Sequence, residues 1–171
     1  MRKQWILLSV LSFLIMCGAG CGKKETVDEY FAQSDSLRVK GKLTEAVKKL
    51  GEVAEKFPTD TLNVIKSLTG MADIYGADLR DFTKAIEIHQ KIIDAYPDYL
   101  LTAKSFIIIA VTYENEIKDI EKARQAYEQF LEKYPSHELV PGVKGALDLL
   151  GVSDEDLEKM ILEKNKSIPL K

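Results

Sequence analysis

Histidine, cysteine and glycine runs are scarce in this chain, and each shortage removes a class of chemistry. Of 171 residues, two are histidine, His89 and His137, and two are cysteine, Cys17 and Cys21. The histidines stand in different segments with no Glu or Cys at metal-ligand spacing, so neither a zinc site nor a nucleophile–base pair can be assembled around them. His89 falls at a bulky core position of a helical pattern, where packing is expected; His137 follows a proline in a loop, where solvent is expected. Gly70 and Gly76 are isolated, and no Gly-rich phosphate loop occurs. Basic residues are in the minority, 24 Lys and Arg against 27 Asp and Glu, for a formal net charge of −3. Nucleic acid, which selects a basic surface, is therefore excluded as a partner. The expectation is a protein that is not an enzyme and that uses no metal and no cofactor.

Beyond the N-terminus there is no hydrophobic stretch long enough to cross a membrane. Met1-Arg2-Lys3 is a basic start, and the twelve residues Trp5 to Met16 are apolar except Ser9 and Ser12. At roughly 1.5 Å per residue that run rises about 18 Å, short of a ~30 Å hydrocarbon core, so it reads as a secretory signal that is removed. Small residues follow, and Gly18-Ala19-Gly20-Cys21 resembles a bacterial lipobox, in which the Cys is acylated and becomes the mature N-terminus. Gly18 departs from the usual Leu of that motif, and the other candidate, Cys17, follows the larger Met16. The resemblance implies a signal peptide over 1–20, lipidation at Cys21 and a tether over 21–26. After cleavage no second cysteine remains, so there is no disulfide framework. More than one acyl chain would anchor the protein stably. Gly22 in place of Asp after Cys21 implies the outer membrane, facing the periplasm. The mature chain of 151 residues (171 less 20) is long enough for one domain with its own core.

What the chain does have is a pattern written three times. Ala46 to Phe57-Pro58, Ala85 to Tyr96-Pro97 and Ala123 to Tyr134-Pro135 each place the Ala twelve positions before the Pro, and the Pro-to-Pro steps are 39 and 38. Leu43, Ala46, Val47, Leu50, Val53 and Ala54 recur at helical spacing, as do Phe82, Ala85, Ile86, His89, Ile92 and Ile93, and then Ile120, Ala123, Tyr127, Phe130 and Leu131. Each is the second helix of a hairpin, stopped by its proline. Asp81 and Asp119 are placed to cap the second and third of them. First helices are expected near 27–39, 62–75 and 99–116, with turns at Gly41, at 76–78 and at 117–119. The pentad Ile107 to Val111 is apolar all round and is expected in the middle of the stack, with neighbours on both sides. A final pair, about 138–150 and 153–164, follows. The second of these opens on a Ser153-x-x-Asp156 capping box and carries a Leu157, Met160, Ile161 stripe to cover the open end. The fold expected is all-α, a short solenoid of antiparallel hairpins with units near 27–58, 60–97 and 99–135, a cap over 136–164 and a tail over 165–171. Such an array buries its core by stacking neighbours and leaves an extended surface that holds another chain.

The units resemble tetratricopeptide repeats, which place a small residue and a Tyr on the first helix, then Ala, a bulky residue four later, and Pro. The third unit reads Ala110, Tyr113, Ala123, Tyr127, Pro135; the second reads Ala72, Tyr75, Ala85, His89, Pro97; the first reads Ser34, Leu37, Ala46, Leu50, Pro58. The period exceeds the usual ~34 residues, which implies longer helices or linkers. With the Tyr-Pro endings and the anchor, the chain is similar to the periplasmic repeat lipoproteins of the outer-membrane barrel-assembly machinery and to Tol-Pal coordinator proteins, though the former carry more repeats. That resemblance implies a ligand surface along the first helices: Phe31, Asp35 and Arg38 from the first unit; Lys66, Thr69 and Asp73 from the second; Lys104, Ile107, Val111 and Glu114 from the third. The mixture suits a segment with both apolar and charged residues. Asp73 and Val111 stand where a tail-carboxylate clamp would carry Asn, so that ligand is not implied. The partner implied is an envelope protein or peptide segment, with membrane attachment through the N-terminal acyl chains. Self-association is the alternative, and a lipid or peptide carrier a third reading that would need a closed apolar cavity.

Overall fold

The computed structural model describes residues 24–166. The leader over 1–20, Cys21 with the start of the tether, and residues 167–171 of the tail lie outside the described residues. Eight α-helices and no strand are found among the described residues: α1 Val27–Val39, α2 Leu43–Lys56, α3 Thr61–Asp73, α4 Phe82–Ala95, α5 Thr102–Thr112, α6 Ile120–Lys133, α7 Val140–Leu149 and α8 Asp154–Lys166. None is long and apolar enough to cross a membrane. Helices α1 to α7 each pack on the next in chain order, which makes three antiparallel hairpins stacked into an all-α solenoid.

Local chemistry sets where each second helix stops. Phe57, Tyr96 and Tyr134 adopt nearly the same backbone, with φ of −127°, −134° and −126° and ψ of 50°, 51° and 56°, and each donates its N–H to the carbonyl four residues back. The following proline cannot continue a helix. The aromatic residue at this stop also binds units together. Tyr134 donates its hydroxyl to the Pro97 carbonyl at 2.9 Å, and its ring stands edge-on to Phe106, 6.0 Å between centroids. In the first unit Phe57 meets the Tyr30 ring edge-on at 5.8 Å.

Three helix starts, those of α3, α4 and α6, are set by aspartate. The Asp60, Asp81 and Asp119 carboxylates accept from the backbone N–H three residues on, at 3.2, 2.9 and 3.1 Å, which satisfies one orphan donor of each first turn. The bond from the Lys122 N–H holds the Asp119 carboxyl below the usual carboxylate range. Asp119→Ala is expected to lower the melting temperature by about 2–4 °C, while Asp119→Asn, which caps equally well, leaves it close to wild type; differential scanning calorimetry decides it. Ser153 opens α8 in the same way, accepting from the Asp156 N–H at 3.1 Å, although its own hydroxyl donates to the Asp156 side chain, so only half of a capping box forms.

The turns inside the hairpins repeat one geometry. Both α3 and α5 end in a π-turn, Ile74–Asp78 and Tyr113–Ile117. Each turn is closed by an equivalent bond, Asp81 N–H to the Tyr75 carbonyl and Asp119 N–H to the Tyr113 carbonyl. Gly41, Arg80 and Lys118 have φ of +72°, +56° and +64°. They are spaced 39 and 38 residues apart, the same steps as the prolines. Every hairpin therefore passes through one left-handed residue, at which glycine is unstrained and Arg and Lys are not.

The core runs through the stack as three clusters: Ala46, Leu50 and Ile74; Val64, Ile65, Leu68, Ala72, Ala85, Ile88 and Ile92; and a third built around Phe106, Ala110, Ala123, Tyr127 and Phe130. Three expectations are corrected. In the Ile107 to Val111 pentad only Ile109 and Ala110 are buried, and Ile108 and Val111 remain 37 % and 39 % exposed because the inner face of α5 opens on a groove. The end of the array is covered by α7, whose Val143 joins the third cluster with Leu150, and not by α8, which makes no extensive contact with any other helix. His137 is half-buried, with its Nδ1 accepting from the Leu139 N–H at 3.1 Å and its ring edge-on to Phe130 at 5.6 Å.

Candidate functional site

Two open hollows lie side by side between α3 and α5. One, of about 330 Å³, is lined by Lys66, Thr69, Gly70 and Asp73 of α3, His89 of α4, and Leu101, Lys104, Ser105 and Ile108 at and within α5. The other, of about 430 Å³, continues toward the π-turns and is lined among others by Asp73, Arg80, His89, Ile108, Val111 and Glu116. Asp73, His89 and Ile108 line both, so the two are halves of one groove. Neither half is the closed cavity a carrier would require.

The groove is built by repetition. Lys66 and Lys104 occupy early turns of two first helices, 38 residues apart in the chain, and so stand on facing walls. Both are exposed, and among the described residues neither has a carboxylate at ion-pair distance. At the opposite end Arg80 closes across to Glu116 at 2.8 Å while its guanidinium lies 4.6 Å over the Phe82 ring. Arg38 of α1 reaches the Asp78 carboxylate, which ties the first unit to the second. Exposed pairs of this kind add little stability and mainly hold side chains in place.

The floor is histidine. His89 is only 2 % exposed, and its Nδ1 lies 3.2 Å from the Ser105 hydroxyl. Burial pushes its pKa down to about 4, so at neutral pH the imidazole is uncharged. On the wall above it, burial holds the Asp73 carboxyl above the usual carboxylate range, partly opposed by the positive charge of Arg38. The corresponding positions in the other units are Leu50, which is buried, and Tyr127, whose hydroxyl donates to Glu114 at 3.0 Å. The middle unit alone of the three thus carries an imidazole at this position.

Lys66, Thr69, Asp73, Lys104 and Val111 come together in this groove. The other expected surface residues stand elsewhere. Phe31 packs against the Ala46, Leu50, Ile74 cluster, Asp35 is exposed on α1, and Arg38 is taken by Asp78. Ile107 packs against the third cluster, and its neighbour Ile108 takes the groove position. Glu114 is taken by Tyr127. Leu101, Ile108, Arg80 and Glu116 are groove residues that sequence reasoning missed; the unbroken apolar run of α5 was the signal for Ile108, since a helix apolar on every side leaves one side uncovered in a two-layer stack. Among the described residues no group of three or more His, Cys, Asp or Glu is placed to hold a metal ion.

Residues 66–99 and 105–137 match the family profile of the tetratricopeptide repeat. The matched segments run from within α3 to past α4 and from within α5 to past α6, and so cover most of the two hairpins that form the groove. They start 39 residues apart (105 less 66), and the five residues 100–104 between them supply the excess over the usual ~34. The first hairpin lies outside the matched segments but repeats their Ala, bulky residue and left-handed turn at Ala46, Leu50 and Gly41. No curated protein matches this chain. Tetratricopeptide repeats serve in general as non-enzymatic scaffolds for protein partners, and the groove between these two is the surface such a role would use.

Proposed function

We propose that this chain is a lipid-anchored scaffold of the cell envelope that holds a protein segment in the groove between α3 and α5. The observation that carries the reading is the pairing of Lys66 and Lys104 on opposite walls above the exposed Ile108 and Val111. Two cations outside any ion pair among the described residues, with an apolar strip beyond them, suit a segment that is acidic at one end and apolar beyond it. The anchor rests on the Gly18-Ala19-Gly20-Cys21 sequence, and the outer membrane, facing the periplasm, is the location that Gly22 favours. The scaffold would act by holding and not by chemistry, since the groove floor offers one neutral imidazole and no activated nucleophile.

Photoreactive residues at positions 66 and 104, with Cys21→Ala as control, test this in native membranes. Both positions are expected to capture one and the same protein, and the control is expected to lose both its acyl label and the product. Capture of nothing at either position, or of different proteins at the two, overturns the groove reading. A control that still carries label and product overturns the anchor alone. A second reading, self-association, is favoured by one specific observation, the uncovered apolar stripe of α8.

A further inference from the structure

In α8 the side chains of Met160, Ile161 and Leu162 are 50 %, 51 % and 53 % exposed, and the helix makes no extensive contact with the rest of its own chain. Leu157, Met160 and Ile161 fall at i, i+3 and i+4, so they share one face. Leu157 on that face is half-buried while Met160 and Ile161 stand in water, and an amphipathic helix exposed in this way is a helix whose seat is elsewhere. We propose that the seat is the groove between α3 and α5 of a second copy of this chain.

Three observations select that occupant. The first is charge. Glu155, Asp156 and Glu158 precede or interrupt the stripe, with Lys159 among them at 2.9 Å from Glu155 and 3.5 Å from Asp156, whereas the groove presents Lys66 and Lys104 at one end, then Ile108 and Val111 with Asp73 alongside, and the Arg80–Glu116 pair at the far end. Laid with its first turn between the two lysines, α8 puts acid against base and then Leu157, Met160 and Ile161 against Ile108 and Val111. The second is length. Thirteen residues of α8 rise about 20 Å, and the groove wall from Lys104 to Glu116 rises about 18 Å. The third is the poverty of the alternatives. The sequence of α8 holds five acidic residues against three lysines, which disfavours an anionic lipid surface. Two copies of α8 side by side would bring like-charged first halves together or bury only one narrow stripe, below the ~1,200 Å² of a small stable interface. A groove covers the helix on several sides at once.

The contact is heterologous, because α8 and the groove are different surfaces, so copies join head to tail and build rings or chains. It rests on the groove being a protein-binding site and names the segment bound there. It would make the scaffold a self-assembling one, with other groove ligands competing against α8.

The test uses the full-length chain carrying a photoreactive residue in place of Met160, co-expressed with a differently tagged copy. The expected product joins the two tags, and its crosslinked peptide maps to the α3 or α5 wall near Thr69, Ile108 or Val111. Lys66→Glu with Lys104→Glu in the receiving copy is expected to cut the yield about tenfold, and Glu155→Lys with Glu158→Lys in the donating copy to restore it. Both lysines are exposed, and an unchanged circular dichroism spectrum confirms folding of the variant. A product within one chain, a product on any other surface, a product with a different protein or no product overturns the proposal. The groove reading has its own readout: if positions 66 and 104 still capture one other protein, the groove binds protein and only its assignment to α8 has failed.

Discussion

Replacing Phe130 by alanine is expected to destabilise the protein by about 3–5 kcal/mol, more than any surface change in the molecule. The side chain is fully buried in the third cluster. Its ring lies 5.8 Å from the Tyr134 ring and 5.6 Å from that of His137, and Tyr134 in turn holds Phe106 and the Pro97 carbonyl of the preceding unit. The alanine variant therefore leaves a cavity and also frees the aromatic stop that joins two repeats and orients the loop into α7. In a solenoid each unit is stabilised only by its neighbours, so loss at this junction should loosen α7 before the rest. Urea unfolding followed by circular dichroism measures the total, and amide exchange in α7 measures the local part. Phe130→Leu, which keeps most of the volume, is expected to cost about 1 kcal/mol. A loss under about 1 kcal/mol for the alanine variant would show that the third cluster does not hold the array together.

Much of this architecture was legible because repetition makes its own argument. Ala46, Ala85 and Ala123 recur at a fixed distance from a proline, and all three are buried where the two helices of a hairpin cross closely. Asp81 and Asp119 could be read as caps because the first apolar residue of each stripe follows directly. The groove was readable in part: Lys66, Thr69, Asp73, Lys104 and Val111 follow from knowing which helix of each pair lines the inner surface. What could not be read is where one residue gives way to the next. Ile107, Ile108 and Ile109 are chemically alike, and the choice of which faces solvent is made by the rotation of α5 against α4 and α6. The π-turns after Asp73 and Thr112 likewise come without a residue type that announces them. His137 looked like a loop residue because its partners, Phe130 and Tyr134, come from the helix end before it and meet it only through the turn. The stripe on α8 read as the cover for the end of the array, but α7 supplies that cover through Val143, and α8 stands apart from the stack.

Acidification from pH 7 to pH 4 is expected to remove about 3 kcal/mol of stability through His89 alone. In the unfolded chain the imidazole titrates near 6.5; in the folded protein, burial lowers this to about 4. Between these values the unfolded state binds the additional proton and the folded state does not, so lowering the pH favours unfolding. The stability is fully present above pH 6.5 and is lost progressively as the pH falls toward 4. Asp73 acts in the opposite sense, since partial desolvation raises its pKa and its protonation on acidification relieves that cost. Asp60 and Asp119, held below the usual carboxylate range by their bonds to helix first turns, give up their contribution only at more acid pH. The window from 6.5 to 4 therefore belongs chiefly to His89. His89→Leu, which installs the residue found at the matching position Leu50, should flatten it. At pH 7 the variant is expected to be slightly less stable, because the Ser105 hydroxyl loses its partner in a buried place; near pH 4.5 it should be the more stable of the two. Urea midpoints for both proteins across pH 7.5 to 4 supply the comparison. Parallel curves would show that the His89 ring is hydrated from the groove and titrates as an ordinary histidine, whereas crossing curves establish a neutral imidazole as the floor on which any bound segment rests.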